Sequence, residues 1–388
     1  MSETSLIFPA AEFRARTERL QAQMAADGLN ALLLTSAADV FYTTGFLTRF
    51  WESPARPWFM VIPAKGDPVA VIPSIGADLM QKTWIRTIRT WDAPDPRDDG
   101  ITLLTETLAG LVPAGGRIGL PMGLETHLRM PLGDYQALTT SLANRTFGDA
   151  TACVHRVREI KSAAEIEKIR AICAIAGRAY ARVPEFARKG RTHAEVFRDF
   201  QIALLAEGAD WVSYVAGGAD QDGYGDVISP AADQPLQQGD ILMLDTGAVK
   251  DGYFCDYDRN YSVGPASSVA RHAQEALWQA TESTIATLRP GMRASDVHRL
   301  LTEGLARLGA TASGGRLGHG LGITLTEWPS FTPLDSTPLR AGMVLTLEPG
   351  CYTRDGRILV HEENILLHED RVELLSPRAP QHLPELDA

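Results

Sequence analysis

The chain has 388 residues, which is enough for two domains of ordinary size, each with its own hydrophobic core. Hydrophobic residues make up 45% of the sequence and charged residues 22%, which is typical of a soluble globular protein. The formal net charge of −11 argues against nucleic acid or an anionic membrane as a partner.

The sequence predicts a cytoplasmic protein. The first residues include the charged Glu3 and Glu12 and no apolar segment, so we expect no signal peptide. No apolar run approaches the roughly 20 residues that span a bilayer. The four cysteines lack a CxxC spacing, which excludes zinc-finger chemistry and predicts reduced, mostly buried thiols. They are Cys153, Cys173, Cys255 and Cys351.

The N-terminal part alternates helix and strand patterns. An amphipathic helix is predicted over 13–27 and ends at Gly28, and a short buried strand follows from Ala31 to Leu34. Strands over 58–63 and 69–73 are joined at a turn, Lys65-Gly66-Asp67. This alternation predicts a small α/β domain over residues 1–155.

A second domain is predicted over residues 156–388. A long helical pattern over 156–180 is opened by the capping box Ser162-x-x-Glu165, and Thr192-x-x-Glu195 begins a helix that ends near Gly208. Two more helices are predicted over 267–288 and 295–308, the latter capped at Ser295. The predicted strands are 241–248, 253–263, 343–349 and 358–367. Helices separated by antiparallel hairpins indicate an α+β fold rather than a doubly wound sheet.

Two aspartates are predicted to lie together in the first of these hairpins. Asp251-Gly252 is a turn signal between two apolar runs. With a two- or four-residue loop, Asp245 and Asp256 face the same side, directly opposite or one diagonal step apart, with Cβ atoms about 5–8 Å from each other. Carboxylates this close repel unless a cation lies between them or one is protonated, and we interpret the pair as metal ligands.

The second hairpin repeats this arrangement. Glu348 and Glu362 flank a turn at Asp355-Gly356, and His319 stands among glycines that allow close backbone approach. This oxygen-rich set suits Mn, Fe, Co or Zn in a two-metal centre with a separation of about 3.5–4 Å. The alternative for each aspartate is a solvated strand end, and for the histidine a loop residue bonded to backbone.

These segments resemble the M24 peptidase/creatinase (pita-bread) family, which includes Xaa-Pro dipeptidases and aminopeptidase P. The similar segments are REIKSAAEIEKIR, DTGAVKDGYFCDYDRN, LRPGMRASDV, GHGLG, TLEPG and HEEN, with FYTTGF near the N-terminus. They occur in the family's order and cover nearly the whole chain. The resemblance implies a C-terminal pita-bread catalytic domain and a smaller creatinase-like α/β domain before it.

The resemblance also implies roles for the five candidate ligands. Asp245 would bind one metal, Asp256 and Glu362 would bridge both, and His319 and Glu348 would bind the second. Glu363 is the neighbouring alternative to Glu362, but adjacent strand residues face opposite sides. A water bridging the two divalent ions would be the nucleophile, and Glu348 would carry the proton.

Two departures from the family concern its imidazoles. Prolidase-like members carry a histidine before the first aspartate, whereas this chain has none between His193 and His272. They carry another seven positions after the metal histidine, where this chain has Thr326, followed by Glu327. The imidazoles that would hold the scissile carbonyl are therefore missing, which suggests an altered substrate. Thr326 and Glu327 are candidate catalytic residues, and Tyr224, Asp226 and Arg316 are candidates for the altered pocket.

In this family the N-terminal domain often completes the partner subunit's site, so the resemblance implies a homodimer. The residues after FYTTGF that are candidates for binding a substrate's carboxylate or cation are Arg49, Trp51, Arg56 and Trp58. Ordinary surface and core residues of a strand pair are the alternative. Asp258, two residues after Asp256, faces the same side of the hairpin and is a candidate to support the metal ligands.

Three functions are consistent with these features. The first is hydrolysis of an amide or other C–N bond in a small substrate, with an Xaa-Pro dipeptide as the family default. The second is a small-molecule enzyme on the same fold, similar to creatinase, ectoine hydrolase or dimethylsulfoniopropionate lyase. The third is a metal-free binding module, which the presence of all five ligands disfavours.

Overall fold

The structure is a computed structural model that describes residues 7–354 and 356–388. Glu3, one of the charged residues near the N-terminus, and Asp355, of the second predicted turn, lie outside the described residues. The chain forms two compact units, one ending at Arg158 and the other running from Glu159 to Ala388. Among the described helices, none combines the length and apolar character needed to span a membrane.

The described helices, in chain order, are α1 (Ala10–Asp27), α2 (Ala37–Thr44), α3 (Ala77–Gln81), α4 (Ile101–Leu111), α5 (Leu132–Ser141), α6 (Thr151–Arg158), α7 (Ala163–Ala181), α8 (Val183–Phe186), α9 (His193–Ala206), α10 (Ser268–Thr287) and α11 (Ala294–Arg307). The described strands of the first unit are β1 (Ala31–Leu34), β2 (Phe59–Pro63), β3 (Val69–Pro73), β4 (Thr87–Trp91), β5 (Arg117–Leu120) and β6 (Thr146–Asp149). Those of the second unit are β7 (Trp211–Gln221), β8 (Asp240–Lys250), β9 (Tyr253–Phe254), β10 (Tyr257–Val263), β11 (Thr311–Ser313), β12 (His319–Gly320), β13 (Glu327–Ser330), β14 (Val344–Leu347), β15 (Gly350–Tyr352), β16 (Ile358–Val360), β17 (Glu363–Leu367), β18 (Val372–Leu374) and β19 (Glu385–Leu386).

The described part of the first unit contains a six-stranded mixed sheet in the order β4-β3-β2-β1-β5-β6. The predicted strands correspond to β1, β2 and β3, and the predicted first helix to α1. Apolar residues of β1, β2 and β3 pack with Leu104 and Leu108 of α4 and Leu138 of α5 in one core. The α/β prediction for this part of the chain is confirmed.

The second unit contains two largely antiparallel sheets that position the candidate ligands. One has the order β19-β10-β8-β7, with β9 paired to β8, and the other the order β13-β12-β14-β17-β18. Among their described strands, β10 and β19 form the one parallel pair. The hairpin between β8 and β9 turns at Asp251 and Gly252, whose φ angles of 52° and 81° are the positive values that a tight two-residue turn requires. The α+β prediction is confirmed.

Two predicted helix boundaries are wrong. The pattern over 156–180 is two helices, α6 and α7, because Ser162 is in an extended conformation as the N-cap of α7 and forms the capping box with Glu165. Helix α11 is not capped at Ser295. It begins at Ala294, and Asp296 accepts a hydrogen bond from the backbone N–H of Arg293, the true N-cap. The predicted domain border at 155/156 falls inside α6.

Candidate metal centre

The first hairpin brings Asp245 and Asp256 to one face. Asp245 in β8 lies directly opposite Asp258 in β10, and Asp256 stands two residues before Asp258, between β9 and β10. The two candidate ligands are therefore one diagonal step apart, as the two-residue turn predicts. All three carboxylates are buried.

The second hairpin places Glu348 across from Glu362. Leu347 pairs with Glu363 in one ladder and Gly350 with Val360 in the next, so both ladders share one register. Glu348 and Glu362 fall between the two ladders at facing positions. This agrees with the prediction that the two glutamates flank one hairpin turn.

His319 reaches the same region from β12. Gly320 pairs with Leu345 of β14, and the backbone N–H of His319 donates to Thr346 Oγ1 at 3.1 Å. Gly318, the residue before His319, has a φ angle of 137°, and a Cβ at this position would lie 2.3 Å from the carbonyl oxygen of Thr346. Only glycine allows β12 to approach β14 this closely.

The five side chains converge in two groups that share Asp256. Ligand atoms of Asp245, Asp256 and Glu362 all lie within 4.8 Å of one another, as do those of Asp256, His319 and Glu348. Three acidic or imidazole groups at this spacing are an arrangement that can hold a cation. Two such groups with one common member fit a pair of neighbouring cations.

A buried carboxylate oxygen supports this fit. Glu362 Oε2 is buried and has no hydrogen-bond partner among the described residues. Burial, followed by the charge of Asp245, raises the pKa of Glu362 well above its usual value, and burial with the charges of Asp256 and Asp258 does the same for the pKa of Asp245. Unpaired buried anions of this kind are costly, and a cation would remove the cost.

The imidazole of His319 is oriented by its backbone. Its Nδ1 lies 2.8 Å from the carbonyl oxygen of Gly320, which leaves Nε2 to face the carboxylates. Nε2 lies 2.9 Å from Glu348 Oε1 and 3.3 Å from Asp256 Oδ2. Burial lowers the pKa of His319, but the charges of Glu348 and Asp256 outweigh it and raise that pKa to about 10.

Tyr214 belongs to this site and was not found from the sequence. Its hydroxyl lies 2.6 Å from Asp256 Oδ1 and 3.1 Å from Asp245 Oδ2. It is carried by β7, a strand that the sequence analysis did not predict, since Gly217 and Gly218 interrupt its β-forming pattern. The alternation of Trp211, Val212 and Tyr214 before these glycines was the available signal.

The residues beside the ligands hold them in place. Asp258 Oδ1 accepts a hydrogen bond from the backbone N–H of Glu362 at 2.7 Å, and burial raises the pKa of Asp258 to about 8. Asn364 Oδ1 accepts from the N–H of Asp256 at 3.0 Å. Glu363, the alternative to Glu362, faces away and lies 3.1 Å from Arg259 and 2.7 Å from Arg378.

Other predicted site residues have structural partners. Tyr224 is a core residue whose hydroxyl donates to Asn260 and accepts from the N–H of Val360. Glu327 forms a buried ion pair with Lys161. Asp226 caps its own loop through the N–H groups of Ile228 and Ser229. Each of these three side chains is therefore held by contacts within the protein.

The two remaining predicted residues of the second unit are Arg316 and Thr326. Arg316 is exposed. Burial raises the pKa of Glu348, but His319, Thr346 and the charge of Arg316 together lower it below its usual value. Thr326 is half-buried, and its carbonyl oxygen accepts a hydrogen bond from Thr324 Oγ1 at 2.9 Å. Cys255 and Cys351 are buried free thiols with raised pKa values, as expected of packing residues.

In the first unit, the aromatic and arginine residues after α2 form a cluster. Trp58 is a core residue whose ring packs 5.1 Å from that of Phe46 and 5.8 Å from that of Trp51. Arg49 pairs with Glu52, and the guanidinium of Arg56 lies 5.6 Å from the ring of Phe50. Arg49 is exposed, Trp51 and Arg56 are half-buried, and Trp58 is buried.

Comparison with known families agrees with both units. Residues 167–370 match the model of metallopeptidase family M24, and residues 16–160 match that of the creatinase/prolidase N-terminal domain. The chain is 32% identical over 347 residues to a probable dipeptidase PepE of Mycobacterium bovis, with 88% of each chain covered.

Solved structures resemble the whole chain. The dipeptidase PepE of Mycobacterium ulcerans has 28% sequence identity and a TM-score of 0.84, with 98% of this chain and 100% of that chain covered. A recombinant prolidase of Thermococcus sibiricus shares the fold at 23% identity with a TM-score of 0.85, covering 96% of this chain and 99% of that chain. The chain therefore belongs to metallopeptidase family M24, with a creatinase-type N-terminal domain, and is a hydrolase.

Proposed function

We propose that this protein is a metal-dependent dipeptidase that cleaves the amide bond of small Xaa-Pro-like substrates. The observation that carries the proposal is the pair of ligand groups sharing Asp256, with an unpartnered oxygen on Glu362. The dipeptidase and prolidase names of the relatives give it further support. As ligands we propose Asp245, Asp256, His319, Glu348 and Glu362, binding two divalent ions among Mn, Fe, Co and Zn.

When bound, such ions would acidify a water molecule and polarise the scissile carbonyl. The protein's own contribution is to hold the ligands and to move a proton. Glu348 is the proposed proton carrier, accepting a proton from the attacking water and returning it to the leaving amine nitrogen. Tyr214 keeps Asp245 and Asp256 at a fixed separation, and the Gly320 carbonyl keeps the Nε2 atom of His319 directed at them.

Residues of both units are proposed to bind the substrate. Arg316 provides a positive charge near Glu348, and Thr326 stands where the family resemblance implies an imidazole. Arg49 and Trp51 are proposed to contact substrate in a homodimer. A hydroxyl in place of an imidazole also favours a second candidate, a non-peptidase C–N hydrolase acting on a small cyclic amide or onium compound.

The test is metal analysis followed by a substrate panel. We expect the purified protein to contain or take up divalent ions and to hydrolyse Xaa-Pro dipeptides, with activity lost on chelation and restored by one of the four metals. Preference for small cyclic amides or onium compounds would favour the second candidate. Failure to bind any of the four metals would contradict both.

Substitution of the shared ligand sharpens the test. Asp256→Asn should reduce metal content and lower kcat/KM by more than about 100-fold, because losing even a supporting residue commonly costs about 10–100-fold. Asp210→Asn is the matched control, since Asp210 forms a partly exposed ion pair with Lys250. Metal content and activity of this control should stay at the wild-type level.

A further inference from the structure

A buried ion pair links the start of the second unit to the segment that follows His319. Lys161 Nζ lies 3.0 Å from Glu327 Oε2, and the two side chains are 2% and 5% exposed. Lys161 stands between α6 and α7, and Glu327 begins β13. Neither residue belongs to the two ligand groups.

The second oxygen of Glu327 holds the loop 321–326. Oε1 accepts hydrogen bonds from the N–H groups of Ile323 at 3.0 Å and Thr324 at 3.2 Å, and lies 3.3 Å from Thr324 Oγ1. Gly322 packs directly on the pair, since a Cβ there would lie 2.9 and 3.0 Å from the two carboxylate oxygens. The carboxylate is therefore the centre around which the loop is folded.

This loop contacts the strands that carry the candidate ligands. The carbonyl oxygen of Gly322 accepts a hydrogen bond at 2.9 Å from the N–H of Phe254, two residues before Asp256. Leu325 Cδ1 lies 2.8 Å from where a Cβ of Gly247 would be, and the ring of Tyr214 packs at the same point. Leu325 thus borders the tyrosine that touches Asp245 and Asp256.

We propose that Lys161 and Glu327 are a positioning pair that fixes this loop, and that Leu325 forms an apolar wall of the substrate pocket and limits the side chains it accepts. The inference rests on the proposed function, because it concerns the pocket of that same site. It assigns the pocket to substrates with an apolar group beside the scissile bond. Replacing a buried ion pair by apolar residues is often neutral for stability, so fixing the loop is the better explanation of the pair.

Two double variants that both remove the buried charges test whether the pair positions the loop 321–326. Lys161→Met with Glu327→Gln keeps an oxygen that accepts from Ile323 and Thr324, whereas Lys161→Met with Glu327→Met removes it. We expect the Gln variant to keep KM for an Xaa-Pro dipeptide within about threefold of wild type. The Met variant should raise KM by about tenfold or more at similar kcat, since misplaced binding groups weaken binding strongly.

Metal content should be unchanged in both variants, and amide exchange of residues 321–326 should quicken only in the Met variant. Lys168→Met is the control, because Lys168 forms a partly exposed ion pair with Asp251. Equal KM and equal exchange in the two double variants would overturn the positioning role. Amide exchange needs no substrate, so that role can be judged even if the wild type hydrolyses no dipeptide.

The variant Leu325→Ala tests whether Leu325 limits the side chains that the pocket accepts. Replacing the isobutyl group by a methyl group should shift preference towards bulkier apolar side chains by about 10-fold in the ratio of kcat/KM values, with metal content unchanged. An unaltered preference across a series of Ala-, Val-, Leu- and Phe-Pro dipeptides would refute the specificity role. A wild type that hydrolyses none of them would instead refute the proposed function.

Discussion

Tyr214 places a neutral donor between two buried carboxylates that would otherwise repel. Removing its hydroxyl in Tyr214→Phe leaves the ring packing intact but frees Asp245 and Asp256 to move apart. We expect metal affinity or kcat to fall by about 10–100-fold, the usual cost of losing a residue that orients metal ligands. Metal titration and steady-state kinetics measure the two effects.

Tyr261→Phe is the matched control for this prediction. Tyr261 is buried in β10, and its hydroxyl donates to the carbonyl oxygen of Tyr180 at 2.9 Å. Among the described residues it forms no hydrogen bond to a candidate ligand. The Tyr261→Phe variant should lose about 0.5–1.5 kcal/mol in the free energy of unfolding and keep the metal affinity of the wild type. Equal metal affinities in the two variants would show that Tyr214 does not orient the ligands.

Among the secondary-structure elements, the close approach of β12 to β14 determines the position of His319. Gly318→Ala would bring a Cβ to 2.3 Å from the Thr346 carbonyl oxygen at a φ of 137°. We expect a loss of about 1–3 kcal/mol in the free energy of unfolding, together with weaker metal binding. Urea denaturation and metal analysis check both.

Gly315→Ala is the comparison for that variant, because a Cβ at Gly315 meets no atom within 4 Å. It should change neither stability nor metal content appreciably. If Gly318→Ala also changes neither stability nor metal content, the close approach of β12 to β14 does not require a glycine at this position.

The elements also show what could be read from the sequence. The Asp251-Gly252 turn and the capping boxes at Ser162 and Thr192 are local signals, and each forms as predicted. Strand β7 was missed because its glycines mask the strand pattern, and Tyr214 was missed with it. The buried ion pair of Glu327 could not be read from the sequence, because its partner, Lys161, stands 166 residues earlier in the chain, a separation that no local pattern spans.

At the scale of the whole molecule, the buried acidic groups should make the stability of metal-free protein depend on pH. Asp245, Glu362 and Asp258 have raised pKa values, so their folded forms retain protons that the unfolded chain has released. The pKa of His319 is raised to about 10, and the stability that its charged form contributes is also lost as pH rises. All four groups therefore lower stability with rising pH.

We expect the melting temperature of chelated protein to fall between about pH 7 and pH 9, a range in which His361, with a pKa lowered to about 3 by burial, stays neutral. Metal-loaded protein should show a smaller fall, because bound cations replace the protons. Calorimetry of both forms across this range tests the expectation. A melting temperature of the chelated protein that rises with pH would contradict it.

The sharing of Asp256 between the two ligand groups has a consequence for how cations are taken up. Asp245, Asp256, Glu348 and Glu362 carry four negative charges when ionised, and two dications cancel them, whereas one leaves an uncompensated dianion away from water. A first ion would also immobilise Asp256 for the second. We therefore expect singly occupied molecules to be scarce during titration, so that the protein passes from a protonated form to a doubly loaded one with few intermediates.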